Sequence, residues 1–176
     1  MTTSYSPAAE LEGELVIDKA DFVITSVDDE IRADNLCRKL LSRFYFSLLE
    51  QGVDPREATL LASGADHFVR DFVVGFMHRS LFDEQPGIVR RFGGNWYIVH
   101  TVEPSIDELA IHLAGVRAFF RFLLERDLLD GLFFEEIDRE CSDLSFYEER
   151  IKAFWAIEGD GYLAWERECS LKSIVS

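Results

Sequence analysis

The chain is poor in the residue patterns that most directly announce chemistry. It has three cysteines, Cys37, Cys141 and Cys169, an odd number, widely spaced and with no C-x-x-C pair. That spacing excludes a zinc ribbon and a thioredoxin-like motif, and it fits reduced, partly buried thiols. No apolar run approaches the roughly 20 residues needed to span a bilayer, and Phe72–Val74 is typical of the runs present. No basic-then-apolar leader opens the sequence, so the expectation is a soluble, cytoplasmic protein without a membrane partner. There is no G-x-x-x-x-G-K-[ST] loop and no G-x-S-x-G elbow, which removes the common nucleotide and serine-hydrolase readings. Gly93-Gly94-Asn95 lacks the lysine and the strand-to-helix setting of a phosphate loop.

Histidine is also scarce. His67, His78, His100 and His112 form neither H-x-x-x-H nor H-E-x-x-H. No metal site and no cofactor are expected from sequence, although a site built from distant residues, such as His112 with Glu108, stays open. Asp160-Gly161-Tyr162-Leu163 has the look of an EF-hand centre, but placing Gly161 at loop position six puts Ala156 and Arg167 where acidic ligands belong. Glu135, Glu136, Asp138 and Glu140 crowd together, and with no histidine beside them they read as an exposed helical face rather than a catalytic pair. No catalytic residue is assigned.

What the chain does have is 176 residues, 48% hydrophobic content and fifteen phenylalanines, enough for one well-packed domain. Its net charge of −15 is unevenly placed. Residues 1–34 hold nine acids against two bases, and residues 127–176 hold thirteen against five. Residues 35–126 are balanced. The acidic ends amount to a solvated surface, or to a face that meets a basic protein partner or repels nucleic acid.

Two stretches, Asp54–Val73 and Ser105–Leu124, share one plan. Each opens with a capping residue and a glutamate three positions on (Asp54/Glu57, Ser105/Glu108). Each then carries apolar residues at the same offsets, Ala58, Ala62 and Ala65 against Leu109, Leu113 and Val116. Phe68 and Phe119 follow, then Arg70 and Arg121. The spacing predicts two long amphipathic helices, the first running to about Met77 and the second to about Asp130. Upstream, Cys37, Leu41, Phe44 and Leu48 mark a helix that begins near Asp28 and stops at Gly52. Downstream, Leu132–Cys141 reads as a short helix. Ser145 and Glu148 read as a third capping box leading into Ile151, Phe154 and Trp155, and Tyr162–Cys169 adds a last turn or two.

Two segments are ambiguous. Leu15–Val27 is β-branched around a polar centre and reads as a short hairpin or an extended arm. Ile88–Val102 reads locally as a hairpin around Gly93-Gly94-Asn95, or as a helix bent at those glycines with Ile88, Phe92, Trp96 and Val99 on one side. The neighbouring helices favour the second form.

The order of helix, Gly52-Val53-Asp54-Pro55 turn, capped helix with an aromatic end at Ala65–Phe72, short segment, and second capped helix Leu109–Leu124 followed by Asp127-Leu128-Leu129 resembles a known pattern. It is similar to the N-terminal core-binding (SAM-like) domain of tyrosine recombinases and phage integrases, over roughly residues 36–130. The pattern along the chain reads as all-α, with a 1–27 arm and an acidic helical extension over 131–176 packed on the core, and the resemblance implies an orthogonal bundle of about four core helices over 28–130. It also implies a clamp that holds DNA. It does not bring catalysis, because His67-Phe68-Val69-Arg70 matches H-x-x-R only inside the core-binding region. The residues available for phosphate contact are Arg38, Lys39, Arg43, Arg90, Arg91, Arg117 and Arg121, set against as many acids nearby. Trp96, Tyr97, Phe133 and Phe134 are the candidates for an apolar interface if the core cannot absorb every ring. The sequence thus favours a non-catalytic helical binding module with a protein partner or a second copy of itself. DNA is the alternative, and an enzyme with dispersed acids and histidines comes last.

Overall fold

The computed structural model describes residues 16–169, and among these the protein is all-α with no strand. The segment from residue 16 to 26 is extended chain with a single 3-10 turn at Lys19–Phe22, closed by Asp18 accepting from the Ala20 amide at 2.9 Å. Part of the hairpin reading is thereby replaced: the polar centre makes a turn, and Val16 and Val23 stay exposed. Leu15 lies outside the described residues. Phe22 anchors the segment, edge-on to Phe82 at 4.8 Å.

Helix α1 spans Val27–Glu50 and is capped by Ser26, whose hydroxyl accepts from the Asp29 amide at 3.1 Å. The stripe Cys37, Leu41, Phe44 and Leu48 is buried as its spacing requires. Gly52, at φ +82°, turns the chain into α2, Pro55–Asp66, where Asp54 accepts from the Arg56 and Glu57 amides at 2.9 and 3.4 Å. The axis continues beyond α2, but from His67 to Phe76 it is π-helical. The amide of Met77 bonds the Phe72 carbonyl, five residues back, at 2.8 Å.

Ile88–Val102 is helical in three parts: α3 (Ile88–Arg91), a second π turn (Phe92–Trp96) and α4 (Tyr97–His100). Ile88, Phe92 and Trp96 are buried together, whereas Val99 faces solvent. The two glycines make this possible. A Cβ on Gly93 would stand 2.8 Å from the Tyr147 ring and one on Gly94 2.9 Å from the Phe146 ring, so the later helix that carries these two rings lies directly on their backbone.

Helix α5, Ile106–Leu124, begins at the Ser105 cap as expected but stops six residues early. Asp127 takes a left-handed conformation (φ +55°), and the Leu128 amide returns to the Leu123 carbonyl at 3.1 Å. A short acidic side chain tolerates that conformation well enough to end a helix. Helix α6, Gly131–Ser142, is capped by Asp130. Helix α7, Leu144–Trp155, follows after a single residue, Asp143. Ser145 is therefore inside α7, donating to Asp143 Oδ1 at 3.1 Å, and the third capping box does not form. Helix α8 is Tyr162–Glu168.

One cluster of buried side chains runs from Phe22 to Trp165. Its middle is ring on ring: Phe44 meets Phe119 and Phe122 edge-on at 5.4 and 5.5 Å, and Phe68 meets Phe92 at 5.2 Å. Such pairs add to burial by roughly 0.5–1.5 kcal/mol each. Trp155, by contrast, is 61% exposed. The three thiols are free and buried, and burial pushes Cys37 up to about 12.

Two buried polar groups tie the later helices to the broken one. Glu140, 5% exposed, accepts from the Gly87, Val89 and Arg90 amides at 3.0, 3.1 and 3.1 Å. The expectation of an exposed acidic face over 135–140 is thus wrong at its last member, because Glu140 serves as the cap that α3 lacks locally. Arg150, also 5% exposed, donates to the Gly94 carbonyl at 2.9 Å and the Trp165 carbonyl at 2.7 Å, with its guanidinium 4.1 Å from the Trp165 ring centre.

Candidate functional site: a histidine-lined cleft

Helices α2 and α5 cross with their backbones almost touching. A Cβ on Gly64 would lie 2.8 Å from the His112 Cα, and one on Gly115 only 2.2 Å from the Leu61 carbonyl oxygen. Alongside this crossing lies a cleft of about 890 Å³. Helix α1 contributes Arg38, Tyr45 and Phe46. The α2–π helix contributes Ser63, Asp66, His67 and Asp71. The far wall is Tyr97 and His100 of α4, Val102 of the following loop, and Glu108 and His112 of α5.

The floor is a pair of imidazoles. The rings of His67 and His112 are 5.1 Å apart, each with a carboxylate on its own helix four residues away. His67 Nδ1 lies 2.7 Å from Asp71 Oδ2. His112 Nε2 lies 3.9 Å from Glu108 Oε1, while its Nδ1 is buried with no hydrogen-bond partner. The Tyr97 hydroxyl donates to Glu108 Oε2 at 3.2 Å, and burial pushes that phenol up to about 12. The ring of His67 also packs 5.1 Å from Trp96 on the second π turn. Burial, reinforced by neighbouring His67, holds His112 below the ordinary imidazole range against the opposing pull of Glu108. His112 is consequently neutral at neutral pH.

The charges around this floor divide into a balanced group and an unbalanced one. Arg70 grips Asp34 through Nε at 2.8 Å and Nη2 at 3.2 Å, and reaches Asp66 through Nη1 at 3.1 Å. Arg38 joins Asp34 at 3.3 Å. Two arginines thus offset two aspartates. Asp71 and Glu108 have only imidazole and phenol beside them, with no arginine or lysine partner among the described residues.

The other residues singled out from sequence are placed as follows. The H-x-x-R pair diverges, since His67 enters the cleft and Arg70 turns to Asp34 and Asp66. Of the phosphate-contact candidates, Arg38 is paired in the cleft wall and Lys39 is exposed on α1, with Arg43 and Arg91 half-buried. Arg90 pairs with Asp143 at 3.1 Å and lies 4.8 Å over Phe146. Arg117 bonds Asp138, and Arg121 lies 5.8 Å over Phe134. Arg117 and Arg121 line a separate, shallow groove beside α6, so the basic residues are not gathered at the cleft. Trp96, Tyr97 and Phe133 are core, and Phe134 is half-buried.

No group of three or more His, Cys, Asp or Glu is placed to hold a metal among the described residues. Nor is any helix there long and apolar enough to cross a membrane. His67 with Asp71 was the pair that sequence reasoning passed over. Its i,i+4 spacing is visible in the chain, but its approach to His112 depends on how α2 and α5 cross. No protein-family model matches the chain, and no curated protein or solved structure matches it.

Proposed function

We propose that the protein is a helical binding module that takes a segment of a protein partner into this cleft. The carrying observation is the cleft itself: an open concavity with aromatic and polar walls and with Phe46 and Val102 exposed where it is lined. Concave surfaces of this mixed character are where ligands and partner segments seat. The ion pairing of Arg38, Arg90 and Arg117 supports a protein over DNA, because a phosphate backbone would have to compete with carboxylates already in place. A neutral imidazole beside these carboxylates can also accept protons.

The test places a photo-crosslinking phenylalanine analogue at Phe46, and at Leu132 on α6 as control, in nuclease-treated native lysate. The expected result is a defined protein adduct from position 46 and none from 132, its peptide then identified and the pair rebuilt from purified components. A dimer of this chain would appear at twice the monomer mass. Equal labelling from both positions, or adducts that vanish with nuclease alongside salt-sensitive retention on duplex DNA, would overturn the reading.

A further inference from the structure

Helix α8 is tied to α7 by residues 156–161 and seats through one side chain, since Trp165 is its single buried residue. The indole lies 4.1 Å beneath the Arg150 guanidinium and 5.1 Å, ring to ring, from Phe154. The bonds across this seat are reciprocal. Arg150 Nη1 donates to the Trp165 carbonyl at 2.7 Å, and the Trp165 indole donates to the Arg150 carbonyl at 3.1 Å. Arg150 Nε holds the Gly94 carbonyl at 2.9 Å, and the Cys169 thiol, just past the helix end, donates to the Arg90 carbonyl at 3.4 Å. In these contacts α8 behaves as a ligand of a site built by α7 and the broken helix, and only the linker makes it intramolecular.

Two features of the linker point to the occupant that this site also takes. The reversal that returns α8 to α7 passes through Gly159 at φ +60°, a left-handed residue, with the Gly161 amide on the Glu158 carbonyl at 3.3 Å. Large apolar side chains flank the same residues and face solvent: Trp155, the last of α7, and Tyr162 and Leu163, the first two of α8. We propose that α8 is exchangeable between two copies of this chain. The site around Arg150 and Gly94 takes Trp165 from the α8 of a second copy as it takes its own, in a two-fold dimer whose linkers run past one another and cover Trp155. Every bond of the seat is re-formed in the exchange, so it gives up no contact. A short linker holds its own α8 at an effective concentration on the order of 1 mM. The closed monomer therefore dominates in dilute solution, and the dimer forms as the protein approaches that concentration or as the turn is disfavoured. This surface is separate from the cleft between α2 and α5 and does not depend on what the cleft holds.

The test converts the turn into helix in the full chain. With Gly159→Ala, Asp160→Ala and Gly161→Ala together, the left-handed turn is disfavoured and α7 continues into α8, which carries Trp165 away from its own site. Sedimentation equilibrium at micromolar concentration is expected to give twice the monomer mass. Amide exchange across Tyr162–Glu168 should stay near the wild-type rate, because the site is filled by the other copy. Adding Arg150→Lys should return the protein to monomer. Adding Trp155→Ser should weaken the dimer by at least about tenfold. Unchanged exchange in α5 confirms that the core of each variant is intact. A second measurement needs no altered turn: isotope-labelled and unlabelled wild-type protein are mixed at about 1 mM and inspected by native mass spectrometry. A dimer of mixed isotope content is expected, and Arg150→Lys should abolish it. A monomeric triple variant, a dimer indifferent to Arg150→Lys, or wild-type protein that forms no mixed dimer would each overturn the inference.

Discussion

Gly115 and Leu61 are in backbone contact: a Cβ at residue 115 would lie 2.2 Å from the Leu61 carbonyl oxygen and 2.9 Å from the Ala65 amide nitrogen. Neither atom belongs to a flexible side chain, so relief requires α2 and α5 to separate. Alanine at this position gains about 1 kcal/mol of helix propensity. Overpacking against a rigid partner costs about 3 kcal/mol. Gly115→Ala should therefore lower stability by about 2 kcal/mol net, read as a lower urea midpoint with an unchanged slope. Gly131→Ala, where nothing lies within 4 Å of the new atom, should leave the midpoint unmoved or raise it.

Glu140 predicts a graded series. Its two oxygens serve three amides at the start of α3, so Glu140→Ala leaves buried donors at Gly87 and Val89 and a part-buried one at Arg90 without partners. Each unsatisfied group costs roughly 1–3 kcal/mol. Relaxation and entering water offset part of that, and a total of about 3 kcal/mol is expected. Glu140→Gln keeps one accepting oxygen but points an amide NH₂ at a donor, so it should fall between wild type and alanine. Thermal unfolding of the three proteins checks the order.

Much of the architecture was legible along the chain, and the reason is local. Asp54, Ser105 and Gly52 act through their own backbone neighbours, and the stripe Cys37–Leu48 needs only helical spacing to be read. What escaped detection depends on contacts distant in sequence. The shared plan of the two long helices holds as sequence but diverges as geometry at His67, where one becomes π-helical and the other stays α. Glu140 looked like a surface acid because its partners lie fifty residues upstream. The cleft's two acid–imidazole pairs are each visible as i,i+4 spacings, yet the site exists only because Gly64 lets His112 approach.

His112 links the cleft to pH. Its folded pKa lies below the unfolded imidazole value of roughly 6.5. In that window the unfolded chain binds more protons, so stability rises with pH. The contribution is fully present above about 6.5 and is lost as pH falls through the folded value. The groups that set this shift or surround the ring are Glu108 on the same helix, His67 with its Asp71, and Tyr97 and His100 across the cleft. His112→Gln should flatten the fall in urea midpoint between pH 7 and pH 5, and an unchanged slope would show that the acid sensitivity lies elsewhere.

Arg150 sets the last expectation, which concerns one helix rather than the whole fold. Its guanidinium bridges the carbonyls of Gly94 and Trp165, while the Trp165 indole donates back to the Arg150 carbonyl at 3.1 Å. Helix α8 is only seven residues long, too short to persist alone in water, so its helicity rests on this dock. Lysine cannot reproduce the fork, and a single ammonium cannot hold both carbonyls in the same geometry. Arg150→Lys should therefore loosen α8 selectively. Amide exchange across Tyr162–Glu168 is expected to rise by at least about tenfold, and Trp165 emission should shift to the red as its ring meets water. Exchange in α5 should stay near wild type, because its packing against α2 does not pass through Arg150. Uniformly faster exchange in both helices would instead make Arg150 a determinant of global stability.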